Sequence, residues 1–320
     1  MKKIYNFGIL FSLIFVIAGI SGCAEFQDVK TFYDKGDSLV ALGQIEFAQI
    51  EYQKALKLNP NDPTAHFKMG VTYKILDKRA EAIKEFQETL KVLPNDAGAH
   101  HMLGDLYFVE GKKDEAINEY NAALKNGVTY PKLAEVMLML GHVYFDKKDY
   151  VQAAKYYTDS AAKNPSNSVA HLYLAYSYSI LNKLDDALKE YQEVIKLDPQ
   201  ELEAYIKIGA IYEVQGKPDE ALAKYNEVLK MKSGQKDVLF RLGAIYFKQE
   251  KYEDSANAFK EVLKIDPGSV DSHFNLGIIY DNKLNSKSEA ISHYKEALRL
   301  NPKYEQAELI KIKIKQLEAE

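Results

Sequence analysis

The chain has one cysteine, Cys23, in 320 residues. No disulfide can form within it, so an exported form must be stable without bridges. Alternating Val/Ile/Thr runs closed by Asn-Gly turns, which mark hairpins, are missing, and this argues against a sheet protein. Catalytic signatures are missing as well: there is no His-Glu-x-x-His, no phosphate-cradling Gly-x-x-x-x-Gly-Lys loop, no Gly-x-Ser-x-Gly and no Cys-x-x-Cys. The expectation is no catalytic residue, no metal, no cofactor and no small-molecule substrate. The net charge of −4 arises from interspersed signs, without the basic stripe that tracks a nucleic-acid backbone.

What is present is a phrase that returns every 34 residues. Around Gly70 it reads His66-x-x-Met69-Gly70-x-x-Tyr73, then Ala82-x-x-x-Phe86, then Pro94. It is centred in turn on Gly36, Gly70, Gly104, Gly141, Ala175, Gly209, Gly243 and Gly277, at intervals of 34 except for one of 37. A fixed period of this size means stacked two-helix units, each touching its neighbours. A stack also escapes the size limit of one compact core. One continuous repeat domain is therefore expected.

The pattern of small residue, Tyr, Ala, aromatic and Pro resembles the tetratricopeptide repeat over residues 29–304. The Tyr slot is filled from Tyr73 to Tyr280, and the second aromatic slot from Tyr52 to Tyr294. A helical Gly costs about 1 kcal/mol relative to Ala, so its retention suggests that a second helix passes close by. Pro60, Pro94, Pro165, Pro199, Pro267 and Pro302 end units, and Gly43, Gly111, Asn182 and Gly216 suit the left-handed turn between paired helices. The resemblance implies an all-α fold: a right-handed α-solenoid of about eight helix-turn-helix repeats. Residues 305–320 form a capping helix, with Ala307, Ile310, Ile314 and Leu317 on one face. Three extra residues near Asn126–Pro131 and one near Asn285 are insertions; the first either bends the stack between repeats three and four or is drift.

The N-terminus has a different character. Met1-Lys2-Lys3 precedes an apolar run, Ile4 to Ile20, and Ser21-Gly22-Cys23 follows. This order is that of a secretory signal, residues 1–22. Its end resembles a bacterial lipobox, which implies acylation (palmitate among the chains) of Cys23 and a short tether over residues 23–28. Several acyl chains anchor stably, at about 0.8 kcal/mol per buried methylene. In a Gram-negative cell Ala24 after the lipidated Cys implies the outer membrane facing the periplasm; in a Gram-positive cell the chain would face outward from the plasma membrane. The alternative is an uncleaved anchor, although 17 apolar residues are at the short limit for a span.

Candidate binding residues come from the first helices. With the small residue as origin, positions −3, +1 and +4 lie about 120° from the packing face. In tetratricopeptide proteins that stripe lines the concave groove that holds partner peptides. The implied groove residues are Phe67, His101, Phe108, Leu138, His142, Phe145, Leu172, Tyr176, Phe240, Phe247 and Phe274. Half of the apolar −3 row is expected to pack between neighbouring helices; Phe108, Phe145 and Tyr176 are less easily explained that way. The cationic clamp for a C-terminal carboxylate is not recognisable, because Lys74, Arg241 and Asn275 do not fall in its arrangement. Among the histidines, His66, His100, His171 and His273 share the −4 slot and read as packing residues. His101 and His142 could approach each other, but without a third ligand they make no metal site.

The function expected is a membrane-anchored interaction scaffold of the bacterial envelope. It would bind protein or peptide partners in its groove, as a pilotin-like assembly factor or a peptidoglycan-enzyme adaptor. A repeat-bearing envelope enzyme needs a catalytic domain, which residues 29–304 leave no room for. A self-assembling structural solenoid is opposed by the charged final helix.

Overall fold

The computed structural model describes residues 29–129, 131–282 and 286–319, so the expected leader, Cys23, the expected tether and the insertion at Asn285 lie outside the described residues. Among the described residues all regular structure is helical, and no helix is long and apolar enough to cross a membrane. Packing divides the chain into two units, Met1–Pro165 and Ser166–Glu320. The first holds four helix pairs: α1 (29–41) with α2 (Ile45–Leu58), α3 (Pro63–Ile75) with α4 (Arg79–Val92), α5 (Ala97–Val109) with α6 (Lys113–Lys125), and α7 (Lys132–Asp146) with α8 (Tyr150–Lys163). The second holds α9 (Ser168–Ile180) with α10 (Leu184–Leu197), α11 (Leu202–Val214) with α12 (Pro218–Met231), α13 (Lys236–Lys248) with α14 (Tyr252–Ile265), and α15 (Val270–Asn282) with α16 (Lys287–Leu300). It ends in α17 (Ala307–Ala319).

The periodic slots have direct physical causes. The second-helix aromatics Tyr52, Phe86, Tyr120 and Tyr157 are buried, as are the small residues Ala48, Ala82, Ala116 and Ala153 one turn earlier. Each ring lies on the glycine of its partner helix. A Cβ on Gly36 would stand 2.3 Å from the Tyr52 ring, and one on Gly277 2.4 Å from Tyr294. The helical Gly is therefore retained because an aromatic face, more than a helix backbone, occupies the space a methyl would need.

Helix boundaries follow from capping. The Pro that closes a repeat stands two residues before the cap of the next. After Pro60, the Asp62 carboxylate accepts from Ala65 N–H at 2.9 Å; after Pro94, Asp96 accepts from Ala99 N–H at 2.7 Å. Between paired helices the chain turns through the left-handed region at Gly43, Gly111, Asn182 and Gly216, as expected, and also at Asp77, Lys148 and Glu250. In repeat two the Lys78 N–H bonds the Tyr73 carbonyl at 2.9 Å and the Asp77 N–H bonds Lys74 at 3.1 Å, the paired bonds of a Schellman turn.

The extra residues of repeat three fall in the α6–α7 connection, where Gly127 has φ 84° and Val128 packs on the Tyr120–Leu140 cluster. In α17, Ala307, Ile310, Ile314 and Leu317 are buried as their spacing predicts, and the last three pack in one core with Leu276 and Tyr294. Leu309 and Ile312 stay exposed on its outer side.

Candidate functional site

The first-helix stripe is built from beneath by the second-helix aromatics. Tyr52 donates to Asp37 Oδ1 at 2.6 Å, and Tyr120 donates to Asp105 Oδ1 at 2.8 Å. The Tyr157 hydroxyl lies 2.8 Å from His142 Nδ1. In the second unit Tyr225 donates to Glu213, the Tyr294 hydroxyl reaches Asp281 at 3.5 Å, and that of Tyr191 is 3.4 Å from Ser179. Every partner sits at +1 or +4, on the stripe. Repeats two and seven carry Phe86 and Phe259 in the aromatic slot. Their +1 and +4 residues are Val71 with Lys74 and Ala244 with Phe247, none of them an acceptor. A buried hydroxyl demands a partner, and where the hydroxyl is missing so is the partner.

Cations on a neighbouring helix extend these pairs. Lys68 on α3 lies 2.7 Å from both Asp37 oxygens, and Lys74 pairs with Asp105 on α5. Arg241 on α13 donates to Glu213 at 2.9 Å, and Lys313 on α17 lies 3.0 Å from Asp281. Burial works against ionised Asp37, but Lys68 and the Tyr52 hydroxyl outweigh it and hold the carboxyl below its ordinary range. Tyr52 and Tyr120 are pushed above the ordinary phenol value, by burial first and by the acids they face. The hydroxyls thus stay protonated as donors.

The residues expected to line a groove divide into several environments. His101 is 1% exposed, beneath the surface, and neither ring nitrogen has a hydrogen-bond partner among the described residues. It is packing, which corrects its expected place on the lining; burial also lowers its imidazole. His142 is held by Tyr157, and burial lowers it too. Phe145 stands edge-on to Tyr150, with ring centres 5.2 Å apart, and Phe108 packs on the Tyr120–Leu140 core. In the second unit Tyr176 stands edge-on to Tyr191 at 5.9 Å beneath Lys207, while Phe240 meets Phe259 at 5.2 Å. Phe247 meets Tyr252 at 5.7 Å and Phe274 meets Tyr304 at 5.6 Å. Leu138 and Leu172 are half-buried. Most of the stripe therefore doubles as core.

Phe67 is different. Its ring, edge-on to Phe86 at 5.4 Å, walls a pocket of about 520 Å³. Val40, Val71, Pro63 and Leu93 supply apolar lining, and Asp37, Lys68 and Asp96 the rim. Gly98 opens the far side: a Cβ there would stand 3.2 Å from the Phe67 ring. The matching place in repeat seven, beside Phe240 and Val262, holds about 420 Å³ and is rimmed by Asp237, Asp271 and the Lys236–Asp266 pair. Sequence reasoning placed Phe67 and missed the pocket, whose signal is a glycine where every other repeat carries a larger side chain, Thr64, Glu135 and Asp237 among them.

The −4 histidines are polar joints, which corrects their reading as packing. His66 Nδ1 lies 2.6 Å from Glu85 on the paired helix, and Nε2 2.9 Å from the Pro60 carbonyl of the preceding repeat. His100 repeats this with Glu119 and Pro94. His171 meets Glu190 at 2.6 Å, and His273 meets His293 at 2.9 Å. No group of three metal-ligating side chains occurs among the described residues.

Comparison with known proteins agrees with this architecture. Among solved structures, YrrB, described as a TPR protein with an unusual peptide-binding site, superposes with TM-score 0.54 at 20% identity, over 59% of this chain and 95% of its own. The C-terminal part of a TPR repeat-containing protein from Cytophaga hutchinsonii gives 0.67 at 14% identity, over 76% and 98%. Pseudomonas aeruginosa pilF gives 0.56 at 19% identity, over 66% and 95%. At these identities the likeness is one of fold. No curated protein matches the sequence. A TPR repeat model matches residues 36–77, and the family model for the cilia and flagella-associated protein 70 C-terminal domain matches residues 72–313, more than half of the chain. The chain therefore belongs to that family of tetratricopeptide-repeat domains.

Proposed function

We propose that the protein is an interaction scaffold of the bacterial cell envelope, anchored through acylated Cys23, that docks an extended segment of a partner protein on its first-helix stripe. The observation that carries this reading is the Phe67–Gly98 pocket. It is apolar inside and polar at its rim, and it sits on the stripe at a place where no core function requires a void. Extended peptides bind in this manner, by side-chain anchors in pockets and polar groups along the edge. The ladder of Tyr–acid–cation contacts fixes the stripe in advance, which lowers the ordering cost of binding. Within this scope the role is that of a pilotin-like assembly factor or an adaptor for peptidoglycan enzymes. The action is docking, without bond chemistry.

The test is crosslinking of the full-length protein in cells, with captured partners identified by mass spectrometry. Gly98→Leu fills the pocket from a position outside the core. A defined partner captured by the native protein and by Glu115→Ala, but lost with Gly98→Leu at unchanged helicity, is the expected result. Equal capture by all three places binding elsewhere. Incorporation of labelled palmitate, abolished in Cys23→Ser, tests the anchor separately.

A further inference from the structure

The outer sides of the second helices carry a repeated pattern that the first repeat breaks. The residue before the small slot is acidic in six of the other seven repeats: Glu81, Glu115, Asp186, Glu220, Asp254 and Glu289. In the first repeat it is Phe47, 60% exposed. Three residues on, where the others are polar or Ala, stands Ile50, 50% exposed. One turn further, where six of the seven again carry an acid, stands Lys54, and Leu58 ends the stripe at 51% exposed. Residues 47, 50, 54 and 58 share one side of α2, about 120° round the helix from buried Ala48, Tyr52 and Ala55, with buried Glu51 between the two faces. At positions 47, 50 and 54 this helix has thus exchanged acids and polar residues for Phe, Ile and Lys, while Leu58 matches the apolar residue that most second helices carry there, such as Val92 and Ile265.

We propose that this face of α2 lies in the interfacial layer of a lipid bilayer, so that the first repeat is seated on the membrane. The proposal rests on the reading of residues 1–28 as leader, lipid anchor and tether. That reading leaves five residues, Ala24 to Asp28, between the anchor and α1, a reach of at most ~18 Å. The α1 helix is about 20 Å long, so every part of α2 stays within a few helix diameters of the lipid surface. Phe, Ile and Leu beside Lys is the composition of a helix that lies in the interface, with apolar side chains inserted and the ammonium snorkelling to anionic headgroups. Lys54 is suited to that role: it lies 5.8 Å from the Phe32 ring centre, and although its ammonium pairs with Glu51 at 2.9 Å, Lys35 holds the same carboxylate at 2.8 Å, so Lys54 can turn to a headgroup without stranding Glu51. Loss of the acids removes the repulsion that the other second helices would meet at an anionic surface.

The chain has no tryptophan, so a single one reports locally. The acylated full-length protein carrying Phe47→Trp is mixed with phosphatidylethanolamine–phosphatidylglycerol vesicles containing brominated lipid. Glu115→Trp, at the matching place on α6, is the control. Co-sedimentation, with Phe47→Trp emission shifted to the blue and quenched about twofold while Glu115→Trp stays unquenched, is the expected result. Adding Ile50→Asp to Phe47→Trp should weaken the quenching without releasing the protein. Co-sedimentation with both probes unquenched overturns the seating and leaves the anchor standing. A blue shift that appears without vesicles and grows with protein concentration assigns the face to a second copy and overturns the proposal. A protein that stays in the supernatant overturns anchor and seating together.

Discussion

Gly104 and Ala175 occupy the same slot, yet they meet different rings. A Cβ on Gly104 would stand 2.6 Å from Tyr120, which is fully buried and tied to Asp105 at 2.8 Å. The ring cannot retreat without breaking that bond, so Gly104→Ala should cost about 1–3 kcal/mol in urea unfolding. Ala175 already coexists with Tyr191, whose hydroxyl makes only a long contact with Ser179. Glu250 presents the reverse case. It holds φ 61° at a helix end, where an L side chain is strained and Gly is not. Glu250→Gly should raise stability by about 0.5–1 kcal/mol in the same assay. His293 links residue chemistry to pH. Burial first, then His273 and Lys260, lowers its imidazole to about 4, against a weaker opposing pull from Glu289. From about pH 6.5 down to about 4 the unfolded chain therefore binds a proton that the folded chain refuses. This contribution to stability is complete above that window and is lost as pH falls through it. In repeats two, three and five a glutamate, Glu85, Glu119 or Glu190, stands in the place of His293. His293→Glu should accordingly narrow the gap between urea midpoints measured at about pH 7.5 and pH 5.

At the scale of elements, the helices were legible because the small–aromatic slots mark their insides and, at six of the repeat ends, a Pro marks the boundary, with a capping Asp after Pro60 and Pro94. The turns at Gly43 and Gly111 were legible from the glycines themselves, which take the left-handed conformation without strain. Those at Asp77, Lys148 and Glu250 were not, because the Schellman bonds impose the left-handed turn on residues whose identity does not announce it. The His slot misled because ring size alone suggests packing. The Glu three residues past the small slot, and the Pro six residues upstream, are its acceptors and were open to inspection. His101 misled for another reason: angular position on a helix does not reveal which neighbour covers it. For α17 the spacing sufficed, since one amphipathic face has one core to meet. Ile310, Ile314 and Leu317 close the last cluster over Leu276 and Tyr294. Deletion of residues 307–320 should expose that cluster, bind a hydrophobic dye and lower the midpoint of the second unit.

For the whole molecule, most of the stability is expected to be a sum of repeat and nearest-neighbour terms. The surface ion pairs contribute little to it: pairs such as Lys264–Glu261 and Lys311–Glu308 are exposed and screened by solvent. The Tyr–acid contacts are another matter, because one partner of each is buried. They are internal to a repeat, joining its second helix to its first, whereas Pro60 and Pro94, each with its capping Asp, stand at seams between repeats. The repeat is thus a closed accounting unit for buried hydroxyls, and the chain is divisible only at its seams. A chimera that exchanges whole repeats two and three at Pro60 and Pro94 keeps each ring with its counterpart. One cut between paired helices would set Tyr120 over Val71 and strand its hydroxyl, and by urea titration it should lose about 1–3 kcal/mol relative to the seam-cut chimera. Such a chain can lengthen, shorten or shuffle by whole cassettes without redesign of its interior, and the grammar that permits this is written in the pairing of two residues about fifteen positions apart.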